Sequence, residues 1–300
     1  MPLKGIVLAG GKATRLYPAS SIIGKQLLPV YDKPMIYYPI TTLMEAGCEE
    51  ILIITSPENY RAVLKLVSSQ AYLGIHITLA KQPEPKGIAQ ALTIAADRYH
   101  IAEGDRILLM LGDNLLHGDG LREPLAQAVA QESGATVFLS RVRDPHAYGV
   151  AKFAGGEYRF LTQIVEKPAV APSSWAVTGL YAYDFECVEM VRQLSPSARG
   201  ELEITDLNNA YLAQKTLWGS GLCYAKLPAS TVWFDMGTPD SLVEAASYVR
   251  AVQQRSGCYV GCPEEAAFKQ GWIDAEHFTR LQVNPEYAAY LASLPQERVN

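Results

Sequence analysis

Hydrophobic and polar positions come in alternating blocks through the first part of the chain. Gly5-Ile6-Val7-Leu8 is an apolar, β-branched run that reads as a buried strand. Pro34 suits the first turn of a helix that carries Met35, Ile36, Leu43 and Met44 and ends at Gly47. A second β-branched run over 51–55 follows. Ser56 reads as an N-cap with Pro57 behind it, opening a helix through Val67. A third strand over 75–80 empties into the turn-rich run Lys81-Gln82-Pro83-Glu84-Pro85-Lys86-Gly87, and a helix begins near Ile88. A fourth strand over 107–111 ends at Gly112-Asp113-Asn114. This alternation predicts an α/β chain with a parallel sheet and helices on both faces. In such sheets ligands sit beyond the carboxyl ends of the strands, where the Gly10-Gly11 loop, the Gln82 loop and Asp113 all fall.

The second half is less regular. The pattern predicts strands over 135–141, 148–153 and 158–165, the last two paired around Gly155-Gly156, a hairpin signal. Further strands are predicted over 176–183, 222–226 and 231–235, and helices over 185–194, 204–213 and 239–254. The remainder, with Pro263, Pro285 and Pro295 between apolar positions, reads as a helical appendage. No internal repeat and no long linker appears.

Composition narrows the classes. Three hundred residues, 49% of them hydrophobic, hold one large α/β domain or two modest ones. A net charge of −5 argues against a nucleic-acid binder, which carries a basic face; Arg141 and Arg143 read as solvated surface. Cys48, Cys187, Cys223, Cys258 and Cys262 are odd in number and scattered, with no Cys-x-x-Cys pair and no histidine at zinc spacing. They read as structural thiols in a reducing compartment. No apolar run reaches the roughly 18 residues a membrane span needs, and no charged-then-apolar leader opens the chain. The expectation is a soluble cytoplasmic protein with no membrane and no nucleic-acid partner.

One stretch carries the candidate chemistry: Leu8-Ala9-Gly10-Gly11-Lys12-Ala13-Thr14-Arg15-Leu16, followed by Gly24-Lys25-Gln26-Leu27-Leu28-Pro29. Paired glycines let the backbone approach a ligand, and their N–H groups can face phosphate oxygens. Arg15 and Lys25 add positive charge beside the loop. A glycine pair after a strand is by itself an ordinary turn, but the whole run reads as a triphosphate cradle. It is not the dinucleotide fingerprint, which needs Gly-x-Gly-x-x-Gly. Nor is it a P-loop, because Gly24-Lys25 is followed by Gln26 rather than Ser or Thr.

That run resembles the sugar-nucleotide pyrophosphorylases, a nucleotidyltransferase family whose signature is Gly-x-Gly-Thr-Arg-Leu and then Lys-Gln-Leu-Leu-Pro. The resemblance extends from about Lys4 to about Asp274 through further blocks in order. These are Tyr31-Asp32-Lys33-Pro34-Met35-Ile36-Tyr37-Tyr38-Pro39, Gly112-Asp113-Asn114, Glu166-Lys167-Pro168, Val177-Thr178-Gly179-Leu180-Tyr181 and Arg199-Gly200-Glu201-Leu202-Glu203-Ile204-Thr205-Asp206. The resemblance is strongest to the branch that acts on dTTP and glucose 1-phosphate. It implies a Rossmann-like, doubly wound mixed sheet of the nucleotide-diphospho-sugar transferase type. It also implies a core over 1–240, with a nucleotide-binding half over about 1–115 and a sugar-binding half over about 116–240. The helical region 241–300 would then make oligomer or regulatory contacts.

The implied reaction joins two anions, so its site needs Mg²⁺-holding carboxylates, cations and backbone N–H groups, and no covalent nucleophile. Asp113 and Asp235 stand where the family places its metal aspartates. The resemblance puts Arg15 on the β and γ phosphates, Lys25 on the α-phosphate and Lys167 on the sugar phosphate. Leu8, Gly10, Gly11, Ala13, Thr14, Gln26, Gln82 and Gly87 would hold the nucleotide, with Gln82 and Gly87 reading the base and Gln26 meeting the deoxyribose or the base. Tyr148, Gly149, Glu166, Val177, Thr178, Gly179 and Arg199 would meet the sugar. For Arg199, a salt bridge to Glu201 or Glu203 stands as an equal alternative.

Several positions depart from the family pattern. Ala13 replaces the second signature glycine, Lys12 a small residue, Lys86 an aspartate and Gly24 a serine. If the backbone at 13 needs φ > 0, alanine costs on the order of 1 kcal/mol. These changes leave open a catalytically impaired, nucleotide-sugar-binding regulatory relative, or the same fold using UTP or another hexose 1-phosphate. The resemblance further implies a homotetramer with feedback by the dTDP-sugar end product. Candidate surfaces for that are the Gly118-Asp119-Gly120 turn and the helix over 239–255.

Overall fold

The computed structural model describes residues 2–11, 13–68, 73–155, 160–216, 219–281 and 283–297. The chain begins with β1 (Leu3–Ala9), then a small hairpin of β2 (Pro29–Val30) and β3 (Lys33–Pro34). Three strand–helix alternations follow: α1 (Tyr37–Glu45), β4 (Glu50–Thr55), α2 (Tyr60–Ser68), β5 (His76–Lys81), α3 (Gln90–Tyr99) and β6 (Arg106–Leu111). Next come β7 (Asn114–His117), α4 (Arg122–Ala130), β8 (Ala135–Arg141), β9 (Gly149–Ala154), β10 (Phe160–Glu166) and β11 (Trp175–Asp184). Then α5 (Cys187–Gln193), α6 (Ile204–Ala213), the short pair β12 (Lys215–Thr216) and β13 (Gly219–Ser220), β14 (Leu222–Lys226) and β15 (Val232–Asp235). The chain closes with α7 (Pro239–Ser256), α8 (Pro263–Gln270), α9 (Ala275–Phe278) and α10 (Pro285–Glu297).

Among the described residues one nine-stranded mixed sheet forms the middle layer. β5, β4, β1 and β6 lie side by side and parallel. β11 joins β6 antiparallel, touches β9 at Ala176 and Val150, and pairs with β8 as well; β10 and β14 extend the sheet beyond β9 and β8. Successive side chains of β1 serve opposite faces, as a strand's period of two requires. Val7 and Ala9 belong to one core with Leu43 of α1, Val63 of α2, Leu125 of α4, Phe268 of α8 and Leu291 of α10. Ile6 and Leu8 belong to the other, with Leu92 of α3, Val191 of α5 and Leu207 of α6. Helices therefore cover both faces, as the sequence predicted. No helix among the described residues is long and apolar enough to cross a membrane.

Two predicted helix starts move, for physical reasons. Pro34 is a strand residue, and α1 begins only at Tyr37. A helix started at Pro34 would put Pro39 in its second turn, against the carbonyl of Met35; starting at Tyr37 keeps Pro39 in the first turn, where no N–H is needed. Ser56 does not cap α2. Its hydroxyl accepts from Asn59 Nδ2 at 3.1 Å within a turn, and α2 starts at Tyr60. The predicted hairpin of β9 and β10 forms, with Gly155 at φ +84°, while Gly156 lies outside the described residues.

Candidate active site

The glycine loop leaves β1 at the carboxyl edge of the parallel strands. Gly11 has φ +105° and Ala13 φ +49°, so both residues sit in the left-handed region. Alanine here bears the strain a glycine would avoid. Ser20 Oγ donates to Ala13 O at 2.8 Å and helps hold that turn. Gly10 packs so closely on Gln82 Oε1 that any Cβ would collide with it. Gln26 is buried and donates from Nε2 to Gly10 O at 3.2 Å, bracing the loop from the other side. Gly24 is explained by Asn59: its N–H donates to Asn59 Oδ1 at 2.8 Å, and a side chain would strike that amide.

The loop after β5 is joined to the segment before α6. Leu202 N donates to Lys86 O at 2.7 Å, and Ala89 N donates to Leu202 O at 3.2 Å. Gly87, at φ +103°, passes so close to the Leu202 backbone that only glycine fits. Lys86 contributes backbone here, while its ammonium pairs with Glu84 at 2.9 Å in solvent. Lys12 lies outside the described residues.

Two strand ends bring the acids together. Gly112 N donates to Leu8 O at 2.9 Å, so the ladder of β1 and β6 runs up to the residue before Asp113. β15 pairs antiparallel with β7, setting Asp235 opposite Asn114, and Met236 N donates to Asp113 O at 2.9 Å. Lys25 pairs with Asp113. Burial works against charge on Asp113, yet the Lys25 ammonium and the surrounding hydrogen bonds hold its carboxyl below the usual value. Asp235 goes the other way. Burial and then the neighbouring Asp113 charge push it up to about 6, against the pull of Lys25, Arg15 and Lys167.

Asn114 ties three strands at this point. Its Oδ1 accepts from Trp233 Nε1 at 2.6 Å and from Gly179 N at 3.1 Å, and its Nδ2 donates to Asp113 Oδ1 at 3.1 Å. Val177-Thr178-Gly179 is a bulged stretch inside β11. The room that Gly179 leaves is filled by the Asn114 amide, 2.5 Å from where a Cβ would stand. Glu166 ends β10; Thr205 Oγ1 donates to its Oε2 at 2.6 Å, and Lys167 Nζ stands 3.4 Å from its Oε1. Lys167 itself holds φ +40°. Arg199 forks both Glu203 oxygens at 2.9 Å and reaches Glu166 at 3.4 Å, so the ion-pair alternative is present. Tyr148 packs its ring 4.9 Å from Trp233, and burial together with Asp235 keeps its hydroxyl protonated.

Every candidate site residue named from sequence lines one cavity of about 790 Å³, apart from Ala13. The residues expected to hold the nucleotide reach it from the ends of β1 and β5 and from the segment before β2, and the others from β6, β9, β10, β11, β15 and the segment before α6. Asn114, Trp233, Thr205 and Asn208 also line it and were not anticipated. Asn114 and Trp233 sit inside runs that sequence had already marked, which was the available signal. No group of three or more His, Cys, Asp or Glu that could hold a metal occurs among the described residues.

A glycine loop, an opposed acid pair and four cations around one cavity suit the making and breaking of phosphate esters. Comparison with known proteins narrows that class. Residues 4–252 match the nucleotidyl transferase family, and the chain belongs to it. It is 47% identical over 294 residues to a glucose-1-phosphate thymidylyltransferase of Xanthomonas campestris pv. campestris, covering 97% of this chain and 96% of that one. Its identity to the enzyme of that name from Neisseria meningitidis is 45% over 295 residues, covering 97% and 99%. A crystal structure described as a glucose-1-phosphate thymidylyltransferase from Bacillus anthracis, in complex with a sucrose, superposes with a TM-score of 0.74 at 39% identity, covering 83% and 95%. A UDP-glucose pyrophosphorylase complexed with UDP-glucose shares the fold, with a TM-score of 0.70 at 23% identity over 84% of this chain and 99% of that one.

Proposed function

We propose that this nucleotidyltransferase moves the thymidylyl group of dTTP onto glucose 1-phosphate, giving dTDP-glucose and pyrophosphate. The observation that carries the reading is the placement of Asp235 opposite Asn114, next to Asp113, with Lys25 acting on both acids and Arg15 and Lys167 on Asp235. Arg15 draws the β and γ phosphates of the leaving pyrophosphate. Lys25 faces the α-phosphorus, where negative charge grows as the sugar phosphate oxygen attacks in line. Lys167 offsets the sugar phosphate's own charge, so two anions can meet. Glu166, oriented by Thr205, accepts sugar hydroxyls, and Gln82 with the Gly87 backbone meets the base.

Asp113 and Asp235 supply hard carboxylate oxygens, and no salt bridge to Asp235 forms among the described residues. That donor set fits Mg²⁺, which takes one or two carboxylates and completes its shell with phosphates and water. When bound, Mg²⁺ neutralises phosphate oxygens in the crowded site.

The same reading divides the chain into a nucleotide half over about 1–115, a sugar half over about 116–240 and a C-terminal helical region over 241–300. It includes a homotetramer with end-product feedback near the 118–120 turn and α7, a helix that buries Ala245 and Val249 but leaves Val243 64% exposed. The free cysteines suit a reducing, cytoplasmic setting. The test is a pyrophosphate-release assay over dTTP, UTP and CTP against several hexose 1-phosphates with Mg²⁺. Fastest release from dTTP and glucose 1-phosphate is expected. Tight binding of dTDP-glucose with no release from any pair would overturn the reading in favour of a binding module.

A further inference from the structure

Four described residues other than glycine have positive φ: Ala13, Tyr31, His100 and Lys167. Lys167 is the least expected of them. Its φ is +40°, and it stands directly before Pro168. A proline ring pushes the residue ahead of it towards extended conformations. Any residue with a Cβ is disfavoured in the left-handed region as well. Lys167 therefore bears two costs at once, and it also lines the catalytic cavity. A residue held in this way keeps its conformation only where its surroundings over-determine it.

Those surroundings come from one stretch, 144–148, just ahead of β9. Glu166, the last residue of β10, pairs with Gly149 in the β9–β10 ladder. One residue on, Lys167 N donates to Tyr148 O at 2.9 Å. One further, His146 Nδ1 donates to Pro168 O at 2.8 Å. A carbonyl oxygen only accepts, so His146 carries its hydrogen on Nδ1. The stretch is braced in turn: His146 N donates to Asp144 Oδ1 at 3.2 Å, and Tyr148 N to Pro145 O at 3.1 Å. Lys167 is thus held from the same stretch on both sides, through its own N–H and through the carbonyl of the residue after it. Pro168 is buried, and its carbonyl is the one backbone polar group it has to satisfy. His146 is exposed and is not among the residues lining the cavity. Replacing it disturbs no core, and it can act on the cavity only through its neighbours.

We infer that His146 is a positioning residue for Lys167. By holding Pro168 O it keeps the Lys167 backbone left-handed and the ammonium in the cavity wall, 3.4 Å from Glu166 Oε1. Without that bond Lys167 relaxes towards the extended backbone that Pro168 favours, and its side chain leaves Cα in another direction. This rests on the reading above, in which Lys167 offsets the charge of the sugar phosphate, and it names the group that keeps the lysine in place.

A double-mutant cycle tests it, read by steady-state kinetics with glucose 1-phosphate, dTTP and Mg²⁺. The proteins are the wild type, His146→Leu, His146→Asn, Lys167→Ala and the double variant His146→Leu with Lys167→Ala. Asparagine places an N–H as many bonds from Cβ as Nδ1 stands, and leucine has the same branched shape with no donor. His146→Leu should lower kcat/KM for glucose 1-phosphate about three- to tenfold, the worth of one hydrogen bond, and leave KM for dTTP unchanged. His146→Asn should stay within about twofold of the wild type, because the donor is restored. Once Lys167 is alanine, His146→Leu should cost less than about twofold more, because the residue it positions is gone. A bond that only held the fold would lower Tm and shift KM for dTTP as well. Three results overturn this inference alone while Lys167→Ala is impaired: wild-type kcat/KM for glucose 1-phosphate in His146→Leu, an equal shift in KM for dTTP, or the full His146→Leu loss persisting in the double variant. A Lys167→Ala protein with unaltered kcat/KM for glucose 1-phosphate overturns the role given to Lys167 in the functional reading, and this inference with it.

Discussion

The two sides of the cavity are held by different means. On the side proposed for the nucleotide, backbone conformation does the work: Gly11 and Gly87 have φ +105° and +103°, Ala13 has φ +49°, and Gly10 presses against Gln82. On the side proposed for the sugar, side chains do it: Thr205 on Glu166, Arg199 on Glu203, and Asn114 between Gly179 and Trp233. A backbone-built wall tolerates little change in residue type but carries little charge of its own. A side-chain-built wall can change its ligand by single substitutions. Substitutions on the first side should therefore appear as lost or gained folding stability, and on the second as altered selectivity. Lys25, Asp113 and Asp235 stand where the two sides meet and should appear as lost turnover.

The largest effect is expected there. Lys25→Ala should lower kcat by about 10²–10³-fold, the usual loss when one contact to developing transition-state charge is removed. Circular dichroism should still report a folded chain, and near-normal turnover would take Lys25 out of the chemistry. Gly87→Ala comes next, because it combines a left-handed backbone with a collision against the Leu202 backbone. A loss of about 2–4 kcal/mol in a denaturant titration is expected. A loss within experimental error would mean the two loops are not locked together.

The third effect depends on pH. Asp235 is raised to about 6 in the metal-free fold, above its unfolded value. A raised acid binds its proton more tightly when folded, so its stabilising protonation is complete below the unfolded value and is lost as pH rises through about 6. Asp235→Asn should therefore stabilise the metal-free protein at pH 8 by about 1–3 kcal/mol and give no gain below about pH 4. A gain equal at both pH values would show that charge on Asp235 is not the cause. The smallest effect is Ala13→Gly, which relieves a left-handed alanine but frees the unfolded chain. The net gain should be up to about 1 kcal/mol, read as a small rise in Tm.

Legibility followed the range of the contacts. α6 and β8 were predicted to the residue, because a buried face at Ile204, Leu207, Asn208 and Tyr211 or a short run centred on Val137, Phe138 and Leu139 is a local pattern. β7 was missed because its four residues run on from Asp113, and only its distant partner β15 makes it a strand. α4 was missed because it buries only Leu125 and Ala128. The start of α1 misread one proline for another. Most candidate site residues followed from motif blocks; Asn114 stood inside one without its role being legible, and Asn208 stood in none. Their partners, Trp233, Gly179 and Tyr183, are set by long-range pairing that no local window contains. The clash that makes Gly179 a glycine is likewise invisible until β7 and β11 meet.

The central claim is that Asp113 and Asp235 share one divalent ion in front of Lys25 and Arg15. Its most direct test is Mn²⁺ binding, followed by electron paramagnetic resonance, in the presence of dTTP for the wild type, Asp113→Asn and Asp235→Asn. One ion per chain is expected in the wild type, with affinity reduced about tenfold or more in each single variant. Equal stoichiometry and equal affinity in all three proteins would contradict a shared ion.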